Sequence, residues 1–135
     1  MNYLIIHDNT PIGMIVEPVA DHSMGVVQGP FVPFQAYERV RAVFRLFAET
    51  QVSDAQDAPE RLTRYHGELD ALRLSVSTAD GRLIPIIAAH VEDYSVELGE
   101  DGYEGFFVVE PNPLFGPSGS FFDDPRYWDG LPPSA

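Results

Sequence analysis

Glu92, Asp93, Glu97, Glu100, Asp101 and Glu104 place six carboxylates within thirteen residues. Carboxylates that dense have three chemical uses: holding a divalent cation, acting as a general acid–base pair, or meeting a basic partner. A calcium loop of the EF-hand kind needs D-x-[DN]-x-[DN]-G in strict order, and Gly102 follows these acids out of that register. Glycoside cleavage needs two carboxyls held apart across a sugar groove, and nothing in the pattern fixes such a pair. The use best matched to the run is electrostatic recognition.

The histidines offer less. His7 stands beside Asp8, His22 beside Asp21, and His90 two residues before Glu92, but with His66 they form no HxH, HxxxH or HExxH spacing. Adjacent residues of a strand point to opposite faces, so such neighbours need not share a site. Neither Ser23 nor Ser118 sits in a G-x-S-x-G elbow. Without Cys there is no disulfide and no thiolate ligand or nucleophile. No catalytic residue, metal site or cofactor is therefore assigned from sequence. The alternative is a small enzyme or a ligand- or metal-binding protein of another kind, with His7, His22 and His90 meeting carboxylates in a pocket between sheet and helices.

MGVVQGPFVPFQAYERVRAVFRLF, residues 24 to 47, resembles a glycine-rich phosphate cradle at first sight. Such a cradle uses consecutive backbone N–H groups and a cation at a helix start. Here Pro30 and Pro33 remove donors, no GK[ST] follows, and the chain has no Lys at all. Gly25 and Gly29 are better read as permitting tight backbone geometry before a helix. Arg39, Arg41 and Arg45 are the one basic cluster, and Glu38 can pair with Arg41, and Glu49 with Arg45, on an exposed helix side.

Twenty-one acids against eight bases give the 135-residue chain a net charge of −13, and residues 83 to 135 hold ten of those acids beside one Arg. Binding a polyanion begins with Lys and Arg displacing counterions, so nucleic acid is excluded as a partner, and anionic membranes are repelled likewise. A basic protein surface is attracted. The start, MNYLIIHDNT, lacks the basic residue and the apolar length of a leader, and no stretch approaches the roughly 18 apolar residues of a membrane span. A cytoplasmic location is expected.

The elements that would position these groups follow from periodicity. YLIIH and IGMIVE flank a DNTP turn and predict an N-terminal hairpin. GVVQGPF predicts a third strand, which must fray or lie at an edge where Pro30 and Pro33 lack donors. Tyr37, Val40, Phe44 and Phe47 fall on one stripe of a helix over 35–50, and Leu62, Tyr65, Leu69 and Leu72 on a second, opened by Asp57-x-x-Glu60 around Pro59. Leu72, Leu74 and Val76 then alternate toward an Asp80-Gly81 reversal. A strand marked by Pro85 follows, with Tyr94, Val96 and Leu98 alternating with acids, and YEGFFVVE is the last strand. The order β-β-β-α-α-β-β-β predicts one α+β domain over 1–110, with a mainly antiparallel sheet of about six strands and two helices on one face.

Residues 111–135 hold six Pro and three Gly beside Phe121, Phe122, Tyr127 and Trp128. They read as an irregular aromatic tail packed either on its own domain or on a partner, where such side chains serve as anchors. The 24–47 run, together with ADGRLIPIIAAHVEDYSVELG, resembles small uncharacterised bacterial proteins carrying an MGxxxGxFxPxxxYxxxRxxFRLF-like segment. The similarity covers roughly the first hundred residues and brings no activity with it. The expectation is a non-catalytic acidic binding protein, in its most concrete form an immunity or antitoxin protein. Glu92, Asp93, Glu97, Glu100, Asp101 and Glu104, with the tail aromatics, would occlude a basic toxin domain. Oligomeric state is not encoded in these patterns.

Overall fold

A computed structural model describes residues 2–21, 24–52 and 57–110. Within these residues eight strands and three α-helices form one mixed domain with an antiparallel, nearly closed sheet: β1 Tyr3–His7, β2 Thr10–Ile15, β3 Val19–Asp21, β4 Val26–Pro33, α1 Arg41–Val52, α2 Ala58–Leu72, β5 Ser75–Thr78, β6 Leu83–Ile84, β7 Ile86–Asp93, α3 Ser95–Leu98 and β8 Tyr103–Val109. The sheet order is β6-β5-β1-β2-β4-β8-β7, with β3 also pairing β4. No described helix is long and apolar enough to cross a membrane.

The β1–β2 hairpin turns at Asp8 and Asn9, both at positive φ (49° and 60°), the left-handed region that Asp and Asn tolerate best. The expected edge position of Pro30 is corrected, because β4 is central, flanked by β8 on one side and by β3 and then β2 on the other. A residue's N–H and C=O point to the same side of a strand. The Pro30 carbonyl accepts from Val16 N at 2.9 Å, so the donor that Pro30 lacks would have faced the Val16 carbonyl, and the one ladder bond forgone falls just past the end of β2, where the chain breaks toward β3. Gly29 lies beside the same break: a Cβ there would sit 2.7 Å from the Val16 carbonyl oxygen. Close approach, together with the φ of 69° at Gly25, accounts for the glycines of this run.

The predicted helix over 35–50 opens as a 3-10 turn, Gln35–Arg39, before α1 begins at Arg41. Its stripe faces inward as expected: Tyr37, Val40 and Phe44 are buried, and the Tyr37 and Phe44 rings stack 6.0 Å apart. Phe47 instead meets Tyr65 of α2, ring to ring at 5.0 Å. Asp57 precedes α2 without a side-chain cap bond, so the expected capping box does not form, and Arg73 ends the helix in the left-handed conformation. That leaves β5 to start only at Ser75. Inward residues of the sheet, among them Ile5, Ile15, Val27, Val76, Val91 and Phe107, complete one core with α1.

The expected strand character of Tyr94, Val96 and Leu98 is also corrected. Residues 95–98 form one helical turn and Gly99–Gly102 a 3-10 turn. The cause is Asp93, whose carboxylate accepts the Ser95 N–H at 3.0 Å and the Ser95 hydroxyl at 2.5 Å, folding the chain back on itself. Val96 and Leu98 consequently stand in solvent.

Candidate functional site

The six carboxylates of 92–104 separate into those that meet an arginine and those that do not, and along β7 strand parity parts Glu92 from Asp93. Along β7, Ala89, Val91 and Asp93 point into the core while His90 and Glu92 point outward. Asp93 is 0% exposed, so its assignment to a partner surface is corrected. It accepts from the Tyr37 hydroxyl at 2.6 Å and from Arg41 Nη1 at 3.2 Å in addition to Ser95. Arg41 in turn donates to the Tyr103 hydroxyl at 2.7 Å and chelates Glu38. Burial and the bond to Asp93 push the Tyr37 hydroxyl far above its usual range, and the guanidinium holds Glu38 below the usual carboxylate range. Glu97 is engaged as well, bridging Arg45 at 2.7 Å, while Arg45 also donates to the Asp93 carbonyl. The pairs read from α1 spacing are present, Glu38 with Arg41 at 2.7 Å and Glu49 with Arg45 at 3.9 Å. Their larger function is to fasten the helix to the end of β7.

Glu92 and Glu104 face each other in register across β7 and β8, and among the described residues neither has a cationic partner. Partial burial raises both carboxyls above their ordinary range, and the charge of Glu92 raises Glu104 further. With Asp101, Tyr94, Leu98, Gln28 and Phe106 they line an open cavity of about 450 Å³. Glu100, which precedes Asp101, is exposed. Phe121, Phe122, Tyr127 and Trp128 lie outside the described residues.

Sequence reasoning passed over the apolar rim. Leu98 is 67% exposed and Met24 70% exposed, and Met24 borders a neighbouring hollow of about 220 Å³ that shares Gln28 with the acidic one. The signal was available in the outward parity of β4 and β8, where Val26 and Gln28 alternate with core residues, as do Phe106 and Val108.

Of the described histidines, His66 and His90 lie near each other. His90 Nδ1 shares a 2.9 Å hydrogen bond with the Tyr65 hydroxyl, and burial, with the nearby His66, lowers its pKa to about 4. His7 sits on β1, its Nε2 3.6 Å from Asp8. His22 lies outside the described residues. Among the described residues no three His, Cys, Asp or Glu side chains are grouped to hold a metal ion.

Compared with protein-family models, with curated proteins and with solved structures, the chain matches none. The reading of the site therefore rests on its own geometry.

Proposed function

We propose that the chain is a non-catalytic acidic binding protein, of the immunity or antitoxin type, which covers a basic surface of a toxin domain. One observation carries this reading: Glu92 and Glu104 sit side by side, partly desolvated, with no cationic partner among the described residues, in a hollow bordered by the exposed Leu98 and by Phe106. Like charges placed opposite one another cost stability, and a cation inserted between them would remove that cost while the apolar rim excludes water. Arg41 and Arg45 satisfy Asp93 and Glu97 internally, so the remaining charge of Glu92, Glu104, Glu100 and Asp101 is directed outward. Steering by this field would speed encounter, and occlusion would do the inhibiting.

The test is affinity capture from the native host at low and high salt, with the wild-type chain and with a Glu92→Gln, Glu104→Gln, Asp101→Asn variant. A basic protein retained by the wild type at low salt, released at high salt, absent with the variant and inhibited by the purified wild type is the expected result. Capture of an inhibited partner undiminished in the variant would place the interface elsewhere.

A further inference from the structure

The outward face of β4, β8 and β7 is ordered in rows, and the register fixes them. Pro30, Glu104 and Glu92 form the first, Gln28, Phe106 and His90 the second, and Val26, Val108 and Ala88 the third. Side chains two residues apart on a strand are about 6.6–6.8 Å apart. The face therefore passes from acid to aromatic to aliphatic over roughly 13 Å.

The second and third rows do not end at open solvent. Phe47, Tyr65, His66 and Leu69 rise beside them, with Asp70 at the same side, and with Ala88, His90, Phe106 and Val108 they line a largely apolar groove of about 280 Å³. Phe106 borders both this groove and the acidic hollow, so the two are adjacent. The His90 ring, neutral at pH 7 because burial holds its pKa near 4, packs edge-on to Phe106 at 3.7 Å and adds no charge to the apolar part.

From this we infer the form of the docked segment, an inference resting on the acid-face reading above. The groove and hollow together take an extended segment of a basic protein in which an Arg or Lys is followed or preceded, two residues away, by a large apolar side chain. A second apolar residue stands two further along. In an extended chain those three side chains share one face at the spacing of the three rows, so the cation rests between Glu92 and Glu104 while the apolar residues enter the groove. A second copy of this chain is a poor occupant, because it would bring its own surplus of acid to the first row.

The test uses the full-length chain and labelled nine-residue peptides carrying one arginine, one phenylalanine and one leucine, with the arginine one, two, three or four positions from the phenylalanine. Binding is read by fluorescence anisotropy at low and high salt. The two-position peptide is expected to bind about tenfold more tightly than the other isomers. Ala88→Trp, which fills the groove from an exposed strand position, should abolish that preference yet leave weak, salt-sensitive binding; Glu92→Gln with Glu104→Gln should remove the salt sensitivity. Circular dichroism checks that each variant is folded. Equal affinity for all spacings, or a preference for the three- or four-position peptides expected of a helix, overturns the strand register and leaves the acid-face reading standing. If no arginine peptide binds even at low salt, the acid-face reading itself fails. Sedimentation that shows a dimer displaced by peptide would reassign the groove to a second copy and overturn the inference.

Discussion

Replacing Glu104 by Gln, alone or with Glu92→Gln, should make the protein more stable. The two carboxylates stand directly opposite in neighbouring antiparallel strands, where Cβ atoms lie about 4.5–5.5 Å apart. For charges about 6 Å apart, Coulomb's law gives roughly 0.7 kcal/mol at the dielectric of water and about 2.8 kcal/mol at an effective value of 20. Both side chains are partly exposed, so the lower end applies, and about 0.5–1 kcal/mol is expected near pH 7. Because both folded carboxyls titrate above their ordinary range, the folded chain binds these protons more tightly than the unfolded chain does. Their contribution to stability therefore falls as pH rises from the unfolded value through the raised folded one. The gap between variant and wild type should be small at and below the ordinary carboxylate range and widen as pH rises above it. Urea unfolding at a series of pH values reads it directly. A variant less stable than wild type at pH 7, or a gap that does not widen with pH, would mean that these carboxylates are internally satisfied, and the argument for a missing cation would fail.

Three further outcomes follow from the same geometry. Asp93→Ala should cost about 3–5 kcal/mol in urea unfolding, because it strips the acceptor from the buried Tyr37 hydroxyl and one carboxylate from Arg41; a loss below about 1 kcal/mol would show that the network does not hold α1 to β7. His90 titrates near 4 when folded against about 6.5 unfolded, so it supports stability above pH 6.5 and withdraws up to about 3 kcal/mol as pH falls from 6.5 to 4. Its NMR titration should show the low midpoint, and His90→Gln should flatten this part of the stability profile. Gly29→Ala should destabilise by more than about 1 kcal/mol in thermal unfolding, because its Cβ would meet the Val16 carbonyl oxygen; an unchanged melting temperature would show that the β2–β3 break yields freely.

What the sequence made legible is what neighbours in sequence decide. The Asp8–Asn9 and Asp80–Gly81 turns, the inward stripe of Tyr37, Val40 and Phe44, and the Glu38–Arg41 pair all depend on residues within a few positions of each other. Pro30 in a central strand was hidden because its tolerance depends on a break in β2–β3 more than ten residues away. The helical turn after Asp93 was misread as a strand because alternation of Tyr94, Val96 and Leu98 with acids imitates period two. An Asp two positions before a Ser was the competing local signal, and it prevailed.

The acidic run shows most clearly where composition stops being informative. Six carboxylates close in sequence share a charge, yet Asp93 lies in the core and Glu97 pairs with Arg45 at the surface, while Glu92 and Glu104 stand half-buried on the outward face of the sheet. Parity along β7 already separated the first two strand residues: His90 and Glu92 must share one face, and Ala89, Val91 and Asp93 the other. What parity could not supply was the pairing of β7 with β8, which brings Glu104 opposite Glu92, or the reach of Arg41 and Arg45 across some fifty residues of chain. Tertiary structure thus converts a run of like charges into two opposite roles. The carboxylates that meet arginine lock α1 to the sheet, and Glu92 and Glu104, which among the described residues have no cationic partner, leave a local repulsion that an added cation would relieve.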